Sequence, residues 1–471
     1  MISLLISIAV LVLGYLFYGK IVERLFGVSD NLTPAVAHPD GVDYVPLKKW
    51  KSFLVQLLNI AGTGPIFGAL MGAVFGPVVF LWIVFGSVLG GAVHDYLCGM
   101  ISVRMDGASV SEIVGNCLGG FAKQFMRFFS VILLIGVGAV FVTSPAALIS
   151  MLTPDWMNTD FWVIVILLYY TLATLLPIDK LIARIYPLFG FVLIAMAIGI
   201  AVGLIVGGYT VPEISFENLH PTGKDIFPFM FITVACGAIS GFHATQSPLM
   251  ARCLTSEKQG KSVFYGAMLT ESVIALIWAA AGVAFYGATG GLQNALASLG
   301  QSGVVYEISK TLLGTVGSIL SIVGVVICPI SSGDTAFRCA RLTIADWLHI
   351  EQKSIVKRLY ITLPLLAVGG ALTQIDFDII WRYFSFSNQT LAAVVLWACA
   401  AYLLAKGEKR FYSLIAAFPA SFMTAVCITY ILMADEGFGL SALISYTAGI
   451  GAAVFSFGWF LFQMTRIQKS A

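Results

Sequence analysis

The chain has 471 residues, 59% apolar and only 11% charged, against about 45–50% and about 25% in soluble globular proteins. That excludes an ordinary cytosolic enzyme, and equally a disordered, collagenous or nucleic-acid-binding chain; Lys and Arg outnumber Asp and Glu by just 26 to 24, too evenly to name a charged partner. The eight cysteines stand singly with no Cys-x-x-Cys pair, so neither a disulfide framework nor a zinc site is indicated, and an all-α polytopic membrane protein remains.

A spanning helix needs roughly 20 mainly apolar residues, because backbone polar groups must be satisfied internally where water is absent. Thirteen such stretches follow in order: 2–19, 53–76, 78–103, 128–150, 161–176, 188–210, 226–250, 262–287, 312–332, 359–374, 381–404, 411–433 and 441–464. The first has no basic residue before it and no small-residue cleavage site, so it reads as a retained helix rather than a signal peptide. With the N-terminus outside and the C-terminus cytoplasmic, only Lys224, Lys310 and Arg382 of the 26 basic residues fall outside, as the positive-inside rule requires. The segment after the third stretch carries Ser109 and Glu112 in capping-box spacing, which predicts an amphipathic helix at the inner face with Glu112 as a cap.

Two stretches are interrupted at mid-membrane. In the second, Ala61, Gly62, Thr63 and Gly64 precede Pro65, which has no N–H, so helix is predicted to stop near Ile60 and restart at Pro65. In the seventh, Gly237 and Gly241 flank Ser240 just before His243. Gly68, Gly72, Gly76, Gly86 and Gly90 read instead as sites of close helix packing. Taking stretches two to six and seven to eleven as units, each begins with its broken helix and the two are inverted, the pattern that marks a transporter's binding site. The chain is thus one transmembrane domain: 1–52 before the repeats, 53–210 as the first, 226–404 as the inverted second, and two further helices in 411–471. Both restarting halves present N-termini near the midplane, suited to an anionic group; both ending halves present carbonyls, suited to a cation.

The runs Thr33–Val36, Asp40–Pro46 and Ile60–Pro65 resemble the carbon starvation protein A (CstA) family, as do Gly91–Asp95, Arg104–Gly107, Phe227–Phe229, Ile232–Ala244, Gly333–Arg338 and Asn388-Gln389. The resemblance implies a bacterial inner-membrane secondary transporter that imports pyruvate or small peptides, often with protons, as a starvation response. It also implies a LeuT-like 5+5 inverted repeat, here with one extra N-terminal and two extra C-terminal helices, about 13 in all. In LeuT-like proteins the eighth core helix supplies oxygens to a sodium site shared with the first. The corresponding Na⁺ site here is Ala61 and Gly64 with Ser331, Ser332 and Thr335; no other cofactor is expected.

Each ionisable group at membrane depth costs about 2.5–3.5 kcal/mol to insert and needs a reason. Substrate contacts are expected from Gly62, Thr63, Gly64, Gly237, Ala238, Ser240, Gly241, His243, Asn388 and Gln389. Ion or proton coupling is expected from His94, Asp95, Glu271, Ser331, Ser332, Asp334 and Thr335, with pairing of Asp334 to Arg338 or Arg341 as the bland alternative. A sodium-coupled amino-acid symporter on the same scaffold is the second reading. A membrane-embedded enzyme lacks support, because no triad spacing, His-Glu-x-x-His or strand-borne glycine loop is present. The substrate, the coupling ion and the oligomeric state are not legible from sequence.

Overall fold

The computed structural model describes residues 1–40, 44–174, 186–352, 354–406 and 410–469. Gly41, Val42 and Asp43 of the N-terminal motif, and Lys180, Arg184, Lys353 and Lys409 of the charge count, lie outside the described residues. All regular structure among the described residues is helical, and helix occupies most of the described part of each of the thirteen apolar stretches.

We number the helices α1 (Ile2–Phe26), α2 (Lys49–Ala61), α3 (Gly64–Ala73), α4 (Val79–Arg104), α5 (Val110–Leu118), α6 (Gly120–Met151), α7 (Thr159–Ala173) and α8 (Tyr186–Val206). There follow α9 (226–233), α10 (Gly241–Ala251), α11 (Glu257–Tyr286), α12 (Thr289–Ile322), α13 (Cys328–Trp347), α14 (Ile355–Leu372), α15 (Phe377–Ala405), α16 (Arg410–Met433) and α17 (Ala442–Lys469). By length and hydropathy, ten helical runs among the described residues can cross a membrane, eleven when α2 and α3 count as one bent span. The count differs from thirteen for physical reasons. Helix α7 has only 15 residues, and α9 and α10 are too short singly; the one stretch expected over 312–332 lies inside the 59-residue run Thr289–Trp347. Backbone at Gly300 and Gly314 leaves helical dihedrals inside that run.

Both breaks are present. Helix α2 ends where Gly62 adopts φ +32° and ψ −140°, Thr63 caps α3, and the axis turns by 48°. Helix therefore stops one residue later than predicted and restarts one earlier, with Pro65 in the first turn, where no N–H is missed. In the second break, helix ceases at Val234, Gly237 takes φ +91°, and extended Ser240 precedes the restart at Gly241. The breaks touch. A Cβ on Gly64 would lie 2.4 Å from Cys236 Cβ, and one on Gly72 would lie 2.2 Å from Val234 Cγ2, so glycine is what lets α3 and the second break approach. Helices α4, α11 and α15 pack around them, and α13 packs on α2.

The expected cap at Glu112 is not formed. No side chain caps α5, and Ser109 Oγ is 3.0 Å from Ser111 Oγ. Glu112 instead accepts from Lys123 Nζ at 2.6 Å and Arg127 Nη2 at 2.9 Å, tying α5 to the start of α6. Partial burial opposes ionisation of Glu112, but Lys123 and Arg127 outweigh it and hold the carboxyl below its usual range. Its contribution is therefore present above the ordinary carboxyl pKa and lost as pH falls through the lowered value. A half-exposed pair of this kind contributes about 0.5 kcal/mol after screening. Chemical denaturation of Glu112→Gln near neutral pH should show a loss of that size, shrinking at acid pH.

Candidate functional site

The second break delivers His243, in the first turn of α10, into a cluster that the sequence did not show as one. His243 Nδ1 lies 2.8 Å from Asp95 Oδ2, and His94 Nδ1 lies 2.8 Å from Asp95 Oδ1, so one carboxylate sits between two imidazoles. On its other side, His243 Nε2 lies 3.4 Å from Glu271 Oε2. All four side chains are fully buried. They form a line from Glu271 on α11 through His243 and Asp95 to His94 on α4, a relay in which imidazole can take or yield a proton at either nitrogen.

Cys236 Sγ joins the line. It, a His243 ring nitrogen and a Glu271 oxygen lie within 4.8 Å of one another, the compact donor set among the described residues that could hold a metal ion. Both ring nitrogens of His243 already face carboxylates, which suits proton handling better than ligation.

The remaining expected residues divide by role. Asn388, on α15, accepts from the Phe242 backbone N–H at 2.6 Å and lies 3.2 Å from Ser240 Oγ. It therefore satisfies one of the amides at the restart of α10 that was expected to be open to substrate. Gln389 Nε2 donates to Phe231 O at 2.9 Å, at the end of α9. Ser87 Oγ donates to Gly237 O at 2.9 Å, and Ser272 Oγ donates to Ser87 Oγ at 2.6 Å, so the unwound carbonyl is also held. Gly62, Thr63 and Gly64 lie at the first break, Gly62 against the Phe141 ring and Gly64 against Cys236, while Ala238 packs its carbonyl against Gly91 of α4. Ser332 Oγ donates to Leu58 O at 3.0 Å, bringing oxygens of α13 and α2 together one turn before Ala61. Ser331 and Thr335 hydroxyls donate to carbonyls of their own helix. Asp334 pairs with Arg338 at 3.2 Å, the bland alternative.

Sequence reasoning missed two polar side chains on α2 that lead toward Thr63. Gln56 and Asn59 stand three positions apart on that helix, Thr63 follows at the break, and all three are buried. Both ends of the Gln56 amide, Asn59 Oδ1 and Thr63 Oγ1 have no hydrogen-bond partner among the described residues. Leaving such a group unsatisfied costs about 1–3 kcal/mol, a cost that a water or a polar solute at the break would relieve. Their spacing was visible in the sequence; that they are buried and unpaired was not. Arg104, from another shared motif, lies elsewhere: it forks onto Glu257 at 3.1 and 3.0 Å and joins the ends of α4 and α11.

The chain is 43% identical over 344 residues to an uncharacterized membrane protein of Haemophilus influenzae, covering 62% of this chain and 93% of that one. It is 28% identical to the peptide transporter CstA of Bacillus subtilis, covering 88% and 87%. It is also 28% identical to the pyruvate/proton symporter BtsT of Escherichia coli over 58% of this chain and 47% of that protein, about half its length. Crystal structures of mutants of the manganese transporter of Eremococcus coleocola share its fold in outline, with TM-scores of 0.53 and 0.54 at 13% identity, covering 89% and 91% of this chain and 94% and 99% of theirs. The sequence model for carbon starvation protein CstA matches residues 1–153 and 144–298, and the chain, a multi-pass membrane protein, belongs to that family.

Proposed function

We propose that this chain is a secondary active transporter that imports a small carboxylate, pyruvate or a small peptide, by alternating access in response to carbon starvation. It works in the bacterial inner membrane with its N-terminus outside and its C-terminus in the cytoplasm. Its architecture is the LeuT-like inverted repeat with 13 spans, a reading supported by two halves that each open on a broken helix and by breaks that touch. The observation that carries the proposal is the buried Glu271–His243–Asp95–His94 line at the foot of the second break. Substrate held at the first break, against Thr63 and the unpartnered Gln56 and Asn59 of α2, sits beside that line, so loading a proton and loading substrate are linked.

Charge accounting favours a coupled cation. Importing one negative charge against about 100 mV, interior negative, costs roughly 2.3 kcal/mol, which one proton per pyruvate cancels. A Na⁺-coupled amino-acid symporter is the second reading, favoured by the Ser332 and Leu58 oxygens meeting between α13 and α2.

The test is uptake of labelled pyruvate and of Ala-Ala by proteoliposomes under separately imposed proton and sodium gradients. Proton coupling predicts about tenfold accumulation of pyruvate for each pH unit imposed, with no response to sodium at constant pH. A response to sodium alone supports the second reading, and no accumulation of either compound under either gradient rejects the first.

A further inference from the structure

At the end of the bundle opposite the cation-rich face lies a cavity of about 280 Å³, near the small end of ligand pockets at roughly 300–1,000 Å³. Its lining includes Lys224 and Arg382, two of the three basic residues on that side, and also Asp378. These charges do not neutralise one another. Asp378 and Arg382 stand four residues apart on α15, yet Asp378 accepts from Gln301 Nε2 at 3.0 Å and Arg382 Nε lies 3.4 Å from Glu436. Lys224 has no ion pair among the described residues; its ammonium sits 4.4 Å from the Phe229 ring centroid.

Two buried donors also line this space. Trp381 is 2% exposed and Ser385 1%, and neither the indole N–H nor the hydroxyl has a hydrogen-bond partner among the described residues. Trp381 packs on Phe67 of α3 at 6.2 Å between centroids, so the cavity is separated from the first break by that aromatic pair.

We propose that this cavity is an entry subsite for a small zwitterion, a free amino acid or short peptide carrying both ammonium and carboxylate. Lys224 and Arg382 take the carboxylate, Asp378 takes the ammonium, and Trp381 and Ser385 donate to the solute before it passes to the breaks. A plain carboxylate gains from the two cations but is repelled by Asp378. The inference rests on the transport reading and narrows its substrate class.

The test measures uptake of Ala-Ala and of pyruvate by the full chain in proteoliposomes, for wild type, Asp378→Asn and Lys224→Met. Asp378→Asn should raise KM for Ala-Ala roughly tenfold and lower KM for pyruvate about twofold, with kcat little changed, whereas Lys224→Met should raise both KM values. If Asp378→Asn moves the two in the same direction or neither, the subsite is wrong while transport stands. Wild type that transports pyruvate but shows no saturable Ala-Ala uptake also overturns it. If wild type accumulates neither, the transport reading fails, and equilibrium binding of labelled Ala-Ala to purified protein decides the subsite. Binding lost in Asp378→Asn upholds it; equal binding, or none to wild type, overturns it.

Discussion

Asp95→Asn protein in proteoliposomes should still exchange substrate across the membrane but should no longer accumulate it when a pH gradient is imposed. The carboxylate lies between His94 and His243 at 2.8 Å from each, and it alone on that side of His243 balances an imidazolium. An amide keeps the size and some hydrogen bonding but removes the charge, so the relay can no longer hold the proton that crosses with substrate. The wild-type ratio of about tenfold per pH unit should fall to near one. Counterflow, which needs no net proton movement, should stay within a few-fold of wild type. Glu271→Gln, at the other end of the line, should give the same phenotype, and the double variant should be little worse than either, as for residues acting as one unit. Undiminished uphill uptake by both variants would remove the relay from the mechanism.

The second large effect concerns packing. Gly64→Ala places a methyl 2.4 Å from Cys236 Cβ and 2.5 Å from its sulfur, where both backbones are held by neighbouring helices. Overpacking of this kind costs about 1–3 kcal/mol, and here it acts between the two breaks. We expect uptake to drop at least about tenfold, with a lowered midpoint of thermal unfolding. Cys236→Gly removes the opposing Cβ, so Gly64→Ala/Cys236→Gly should recover much of the stability lost by Gly64→Ala alone. A double variant no more stable than Gly64→Ala would show that the two breaks do not bear on each other there.

Sequence reading found the helices and both interruptions because these depend on local chemistry: a run of apolar residues, a proline without an N–H, glycines that permit φ of +32° at Gly62 and +91° at Gly237. Even there the ends shifted by a residue. What stayed hidden was partnership. His243 meets a carboxylate 148 positions away, and helices apolar on every side carry no periodic signal to say which face turns inward. The same limit explains Asn388 and Gln389. Their residue types suggested substrate contacts, whereas their amides hold the ends of the second break. Glu112 followed a local rule for caps and was overruled by Lys123 and Arg127 across the next turn of chain.

Helix α15 carries Trp381 at the cavity and Asn388 at the restart of α10, two turns apart on one stiff rod. A tilt of α15 that moves Trp381 also moves Asn388, because both ride on the same helix. Under the entry-subsite proposal, a solute that shifts this rod at the cavity therefore also strains the hydrogen bond that Asn388 makes at the restart of α10.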